Sequence, residues 1–207
     1  MLARYPFWWR AVFLAGLMTT GAVLDLLRHG RAATRHKEYA FIWLTGLMGC
    51  LTGGITDLIT SSISPAYFTL GKGLLDGEGF KLRVALFGLQ EGLSAGVIAG
   101  AVYVYAGRRK CGFAPLGFGE MLGLLWIPMA GAVAGALLLP MAAGGSDPAG
   151  LALKMDGALL AAQAVPFVRV WWIHTGLYGG LLAGLLWLIG AVVRRRRAGA
   201  RLAAAAR

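Results

Sequence analysis

Three ionisable side chains stand inside otherwise apolar stretches of this chain: Asp57, Glu91 and His174. A charged group among lipid tails is costly, so such residues mark a substrate or ion path, a proton relay or an internal ion pair. Two carboxylates and an imidazole can pass protons, bind a cation, hold a Lys or Arg, or ligate a metal. The plainer alternative is a hydrogen-bonded polar glue with Lys72, Arg83 or Gln90 as partners. Asp57 continues the stripe Gly49–Gly53–Asp57 at spacing four, which places it on one helical face. Glu91 is offset by about 60° from Gly88, so both carboxylates are predicted to point into a bundle. His174 is turned by about 160° from Gly176, which leaves its direction open. His29 and His36 lie in a basic loop remote from His174, so a bis-histidine haem within the chain is not expected. The reading carries no cofactor and no metal centre.

The stretch after Asp57 reads Leu58-Ile59-Thr60-Ser61-Ser62-Ile63-Ser64-Pro65-Ala66-Tyr67-Phe68. Ser64 followed by Pro65 has the form of an N-cap and a first helical turn. It predicts a short helix from Pro65 to about Leu75 at the outer surface, with Tyr67 and Phe68 anchored among headgroups. Gly71, Gly73, Gly77 and Gly79 then break it. The hydroxyls of Thr60, Ser61, Ser62 and Ser64 line the approach to that helix N-terminus, where an anion can bind with help from Lys72. Ordinary capping and turn chemistry accounts for the same residues. The candidate binding set is therefore Asp57, Thr60, Ser64, Tyr67, Lys72, Glu91 and His174. No Walker loop, strand-borne dinucleotide fingerprint, His-Glu-x-x-His or Cys-x-x-Cys is present, and no catalytic set can be assembled.

The pattern Asp57-x-x-Thr60-x-x-Ile63-Ser64-Pro65-x-Tyr67-Phe68 resembles a motif in a set of uncharacterised small bacterial polytopic membrane proteins. Those proteins often carry Gln after the Asp and Glu between Pro and Tyr, where this chain has Leu58 and Ala66. The resemblance covers about a dozen residues and the apolar span that follows. It implies a site without naming its chemistry.

The elements that must position these groups are membrane helices. Of 207 residues, 58% are hydrophobic and 14% charged. Soluble domains run at about 45–50% and about 25%. The mean hydropathy is +0.68. Disorder, a disulfide scaffold and a collagen-like repeat are excluded by the apolar content, the two cysteines and the aperiodic glycines. Crossing a bilayer as a helix takes about 20 mainly apolar residues. Five stretches qualify: Phe7–Leu27, Ala40–Ile59, Val84–Ala106, Met121–Ala143 and Val170–Val193. Leu151–Val165, with Lys154, Asp156 and Gln163, is the sixth and weaker stretch, read as interfacial or re-entrant. The expected fold is an all-α integral membrane bundle of five transmembrane helices, six being the alternative, with short interfacial helices. Residues 1–207 form one domain, with a basic tail over 194–207.

Orientation follows Lys and Arg. With five spans, one side holds thirteen of the 20 and the other seven, and Arg194–Arg197 directly follows the last span. This places the N-terminus outside and the C-terminus in the cytoplasm, in a bacterial inner membrane. Trp8, Trp9, Trp171 and Trp172 then fall near the outer interface and Trp43, Trp126 and Trp187 near the inner one. The first apolar run lacks a small-residue cleavage site and is read as a span rather than a signal peptide. Asp25 and Glu120 fall at inner span ends, within reach of water or of Arg28 and Lys110. Cys50 and Cys111 are expected to be free thiols.

Glycine occupies 32 positions and falls in stripes: Gly49 and Gly53; Gly88, Gly92, Gly96 and Gly100; Gly131 and Gly135; Gly176, Gly180 and Gly184. Small residues four apart let helix backbones approach closely. The partner helix can belong to the same chain or another.

These features support a small-solute or ion binding or transport protein with an outward-facing site. The alternatives are a non-catalytic structural or assembly subunit of a larger membrane complex, and a membrane-embedded enzyme acting on a lipid headgroup. The implied partners are the lipid bilayer, anionic lipids at the inner face, and a homo-oligomer or membrane-complex neighbour. The net charge of +11 is where topology requires it, so nucleic acid is not expected.

Overall fold

In a computed structural model, residues 7–108, 115–143 and 161–205 are described. Apolar sequence of this kind satisfies its backbone internally, and the described residues form helices and turns with no strand. The helices are α1 (Phe7–His29), α2 (Arg35–Ile63), α3 (Phe80–Arg108), α4 (Phe118–Leu122), α5 (Trp126–Ala142) and α6 (Ala161–Ala205). Five stretches of these helices are long and apolar enough to cross a membrane.

Two of the predicted spans differ in form. The fourth is broken into α4 and α5 by a turn over residues 123–125. Pro128 then sits in the first turn of α5, where a missing N–H leaves no intrahelical bond unmade. The fifth is far longer than Val170–Val193, since α6 runs for 45 residues. At 1.5 Å per residue that is about 68 Å, roughly twice the hydrocarbon thickness. The end of the weak sixth stretch, Ala161–Val165, is simply the first turn of α6. Its remainder, with Lys154 and Asp156, lies outside the described residues, as does Cys111.

The glycine stripes meet one another within the chain. Gly49 and Gly53 on α2 face Gly88, Gly92 and Gly96 on α3, and a Cβ on Gly49 or Gly92 would overlap the other's carbonyl oxygen. Gly100 faces Thr45 and Ile42. Gly131 and Gly135 on α5 meet Gly176, Gly180 and Gly184 on α6 in the same way. The chain is thus built on two hairpin-like pairs, α2 with α3 and α5 with α6, each in backbone contact. The seam between the pairs is looser and contains a partly open cavity of about 80 Å³.

Apolar clusters close both ends of that seam. Towards the arginine-rich end, Phe41, Tyr103, Met121, Leu188 and Val192 pack together, and the Tyr103 hydroxyl donates to Met121 O at 2.8 Å. At the opposite end Phe68, Val84 and Val170 are fully buried. Helix α1 packs on α2 and leaves Phe13, Leu17 and Leu27 exposed.

The two predicted end-of-span carboxylates each cap a helix start. Asp25 does not take Arg28: its Oδ2 accepts the backbone N–H of Thr34 and Arg35 at 3.0 Å, and His29 Nδ1 lies 2.9 Å from Oδ1. It therefore caps the start of α2, where backbone donors have no helical partner. Glu120 Oε2 accepts the N–H of Gly117 at 2.8 Å, capping α4. Lys110 lies outside the described residues. Arg108 reaches Glu38 at 3.5 Å and the Leu116 carbonyl at 3.1 Å.

Candidate functional site

At one end of the bundle α2 stops at Ile63, because Pro65 disfavours helical backbone in the residue before it. Ser64 is extended there, and its Oγ accepts the N–H of Tyr67 at 3.3 Å. The chain then makes one π-helical turn over Tyr67–Gly71. This wider turn ends short of the predicted Leu75 and changes which way its side chains point. Tyr67 and Phe68 do not anchor among headgroups. Phe68 is 0% exposed, and Tyr67 packs between Phe68 and Phe167 at ring separations of 5.2 and 5.4 Å. The reason is local: the apolar sites left by Val84 on α3 and Val170 on α6 take the rings inward.

His174 on α6 lies beneath those rings, 4.9 Å from Tyr67 and 6.0 Å from Phe68. Its Nε2 is 3.1 Å from Thr60 Oγ1 and 3.6 Å from Asp57 Oδ1. The open direction of His174 is therefore resolved towards α2. His174 and Asp57 are each 3% exposed. Gly88 makes room for the carboxylate: a Cβ there would come within 2.8 Å of Asp57 Cβ.

The protons of this cluster can be assigned from its partners. Thr60 Oγ1 donates to the Thr56 carbonyl at 2.8 Å, so it accepts from the imidazole. His174 Nε2 then carries the hydrogen and Nδ1 is a bare lone pair. Nδ1 is buried with no hydrogen-bond partner, and so is Asp57 Oδ2. Both unpartnered atoms are acceptors. A buried acceptor left without a donor costs about 1–3 kcal/mol.

Glu91 does not touch Asp57 or His174. Lys72 Nζ donates to both its oxygens, at 2.8 and 2.9 Å, and the Tyr178 hydroxyl donates to Oε2 at 3.1 Å. Lys72 also stands 4.9 Å over the Phe87 ring. This corrects the expected role of Lys72 beside a hydroxyl-lined helix terminus, because a carboxylate already occupies it. The hydroxyls are engaged as well: Lys81 donates to Ser61 at 2.9 Å and to Ser62 at 2.8 Å. Arg83 binds the carbonyls of Leu75 and Asp76 instead of a carboxylate.

Tyr67 lies in the connection between α2 and α3. Burial, then the carboxylates of Glu91 and Asp57, push its hydroxyl up to about 12, so it stays a neutral phenol.

Of the predicted set, the fold brings Asp57, Thr60, His174 and Tyr67 into one cluster. Glu91 and Lys72 form a second beside it, and Ser64 serves as a cap. Sequence reasoning missed Tyr178 and Phe167, placed Phe68 at the surface, and gave Gly88 to helix packing alone. A signal for Tyr178 was available, since it follows His174 by one helical turn. Among the described residues, no group of three or more His, Cys, Asp or Glu is placed to hold a metal ion.

The geometry also bears on nucleophilic chemistry. A Ser or Thr triad needs the carboxylate on the imidazole nitrogen opposite the hydroxyl. Here Thr60 and Asp57 approach the same nitrogen, and the Thr60 proton already points to a backbone carbonyl. No family model, curated protein or solved structure matches the chain.

Proposed function

We propose that this protein binds a small polar solute or ion at the Asp57–Thr60–His174 cluster and carries it through the membrane. One observation supports this most directly: two buried acceptors, Asp57 Oδ2 and His174 Nδ1, have no donor. A site that leaves both unmet is completed by a ligand that brings hydrogen-bond donors or positive charge. Tyr67 and Phe68 cover the cluster, and the Glu91–Lys72–Tyr178 group stands beside it.

The other readings have less support. The glycine stripes that motivate an assembly subunit are taken up by neighbouring helices of the same chain. For an enzyme acting on a headgroup, Ser61, Ser62 and Lys72 are already held by internal partners.

The test uses the purified protein in lipid nanodiscs and the chlorides of ammonium, methylammonium, sodium and potassium as probes. Native protein is expected to gain thermal stability with at least one of them, and Asp57→Asn to lose that gain at least tenfold in concentration. Native protein and Asp57→Asn behaving alike with all four probes would overturn the assignment.

A further inference from the structure

The cavity between the two hairpin-like pairs begins one helical turn from the unpartnered acceptors. Its wall includes Gly53, which precedes Asp57 by four residues on α2, and Leu177 and Tyr178, which follow His174 by three and four on α6. One turn is about 5.4 Å along a helix. From there it runs past Met129 and Leu181 towards Tyr103, and its wall is almost wholly glycine, alanine and larger apolar side chains. Tyr178 belongs to both regions, because its ring lines the cavity and its hydroxyl donates to Glu91.

Charge counting selects the polar half of the ligand. Glu91 is neutralised by Lys72 through both its oxygens. Asp57 has no Lys or Arg partner among the described residues, and its nearest basic atom is the imidazole nitrogen 3.6 Å away. The cluster lacks one positive charge and two donors. A primary ammonium supplies one charge and three donors.

Resting on the site proposed above, we infer that the ligand is a small amphipathic cation, a primary alkylammonium ion. Its head lies at Asp57 and His174 and its alkyl tail enters the cavity between the pairs. Polar head and apolar tail then meet complementary surfaces one helical turn apart. The apolar wall adds affinity with each methylene, by about fourfold from water, until the cavity is filled. A neutral head of equal length leaves the Asp57 charge unmet, and an anionic head adds repulsion.

The experiment titrates methyl- to hexylammonium chloride into the native protein in zwitterionic nanodiscs, reading apparent Kd from thermal unfolding. Leu181→Trp and Met129→Trp fill the cavity from α6 and α5, so one remains if the other fails to fold. Native protein is expected to bind successive members about fourfold more tightly until the cavity is filled, and the filled variants to lose that slope while keeping methylammonium. Alkanols and carboxylates of equal length are expected to bind at least tenfold more weakly. An unchanged slope in both filled variants would mean partition into the bilayer alone and would overturn the inference, as would carboxylates binding as tightly as amines. Methylammonium binding that depends on Asp57 but gains nothing with length removes this inference and leaves the proposed site standing. If no ammonium ion binds at all, this inference falls, and the proposed site falls with it unless sodium or potassium stabilises the native protein in an Asp57-dependent way.

Discussion

Glu91 and Asp57 are both carboxylates in apolar helices at the same end of the bundle, yet their surroundings differ in every respect. Glu91 is partly exposed and receives two bonds from Lys72 and one from Tyr178. Asp57 is 3% exposed, has one contact at 3.6 Å and leaves Oδ2 bare. The depth of a charge in a span does not by itself mark function. What separates the two is whether the chain supplies the partners. Glu91 belongs to a completed ion pair that holds the connection after α2 against α3. Asp57 has no such partner among the described residues.

The largest effect should come from removing the charge that is not met. Asp57→Asn should abolish ammonium-dependent stabilisation, a loss of at least tenfold in apparent affinity, about 1.4 kcal/mol or more. Titration of native and variant protein side by side measures it. Next, Gly88→Ala should displace the carboxylate that now packs against that glycine. Binding should weaken and unfolding stability fall by about 1–3 kcal/mol, as overpacking does. Gly79→Ala, at a turn glycine with φ 73° on the same connection, should lower stability and leave the Asp57 cluster intact.

Glu91→Gln should act in the opposite sense to Asp57→Asn. It leaves Lys72 without its carboxylate, so the unliganded protein should lose about 1–2 kcal/mol, while ligand affinity shifts only severalfold. If Glu91→Gln instead abolished binding with stability unchanged, the roles of the two carboxylates would be reversed. The smallest effect is expected at Lys81→Ala. Removing its bonds to Ser61 and Ser62 at the surface should cost less than about 1 kcal/mol and leave binding unaltered.

The contrast between the two carboxylates was only half visible in the sequence. Apolar runs and spacing-four glycines identify the helices and their contact faces, because lipid forces backbone bonding within each segment and close approach needs small residues. Five helices and the glycine faces of α2 and α3 were legible for that reason, and that these two faces meet each other was not. The break between α4 and α5 was not, since residues 123–125 are as apolar as the helix around them. The length of α6 was hidden because Arg194–Arg197 ends an apolar run without ending a helix.

Within the site, Asp57 and His174 were legible as ionisable groups in apolar surroundings. Their meeting was not, because helical phase on α6 separates His174 from Gly176 without saying which helix each faces. Gly176 turns to α5 and His174 to α2. Tyr67 and Phe68 were misplaced because a π turn does not follow α-helical phase. Lys72 was legible both as a partner for a carboxylate and as an aid to an anion at the Ser64–Pro65 terminus, and the connection folds back onto Glu91, a long-range contact that selects the first.

The central claim is that the chain completes Glu91 and leaves Asp57 incomplete. Equilibrium unfolding of the unliganded protein tests it most directly, with native, Asp57→Asn and Glu91→Gln compared in the same lipid. Asp57→Asn is predicted to be no less stable than native, because it removes a buried negative charge that no Lys or Arg meets, and Glu91→Gln to be less stable by about 1–2 kcal/mol. Asp57→Asn as destabilised as Glu91→Gln would contradict the account, because Asp57 would then be as fully partnered as Glu91.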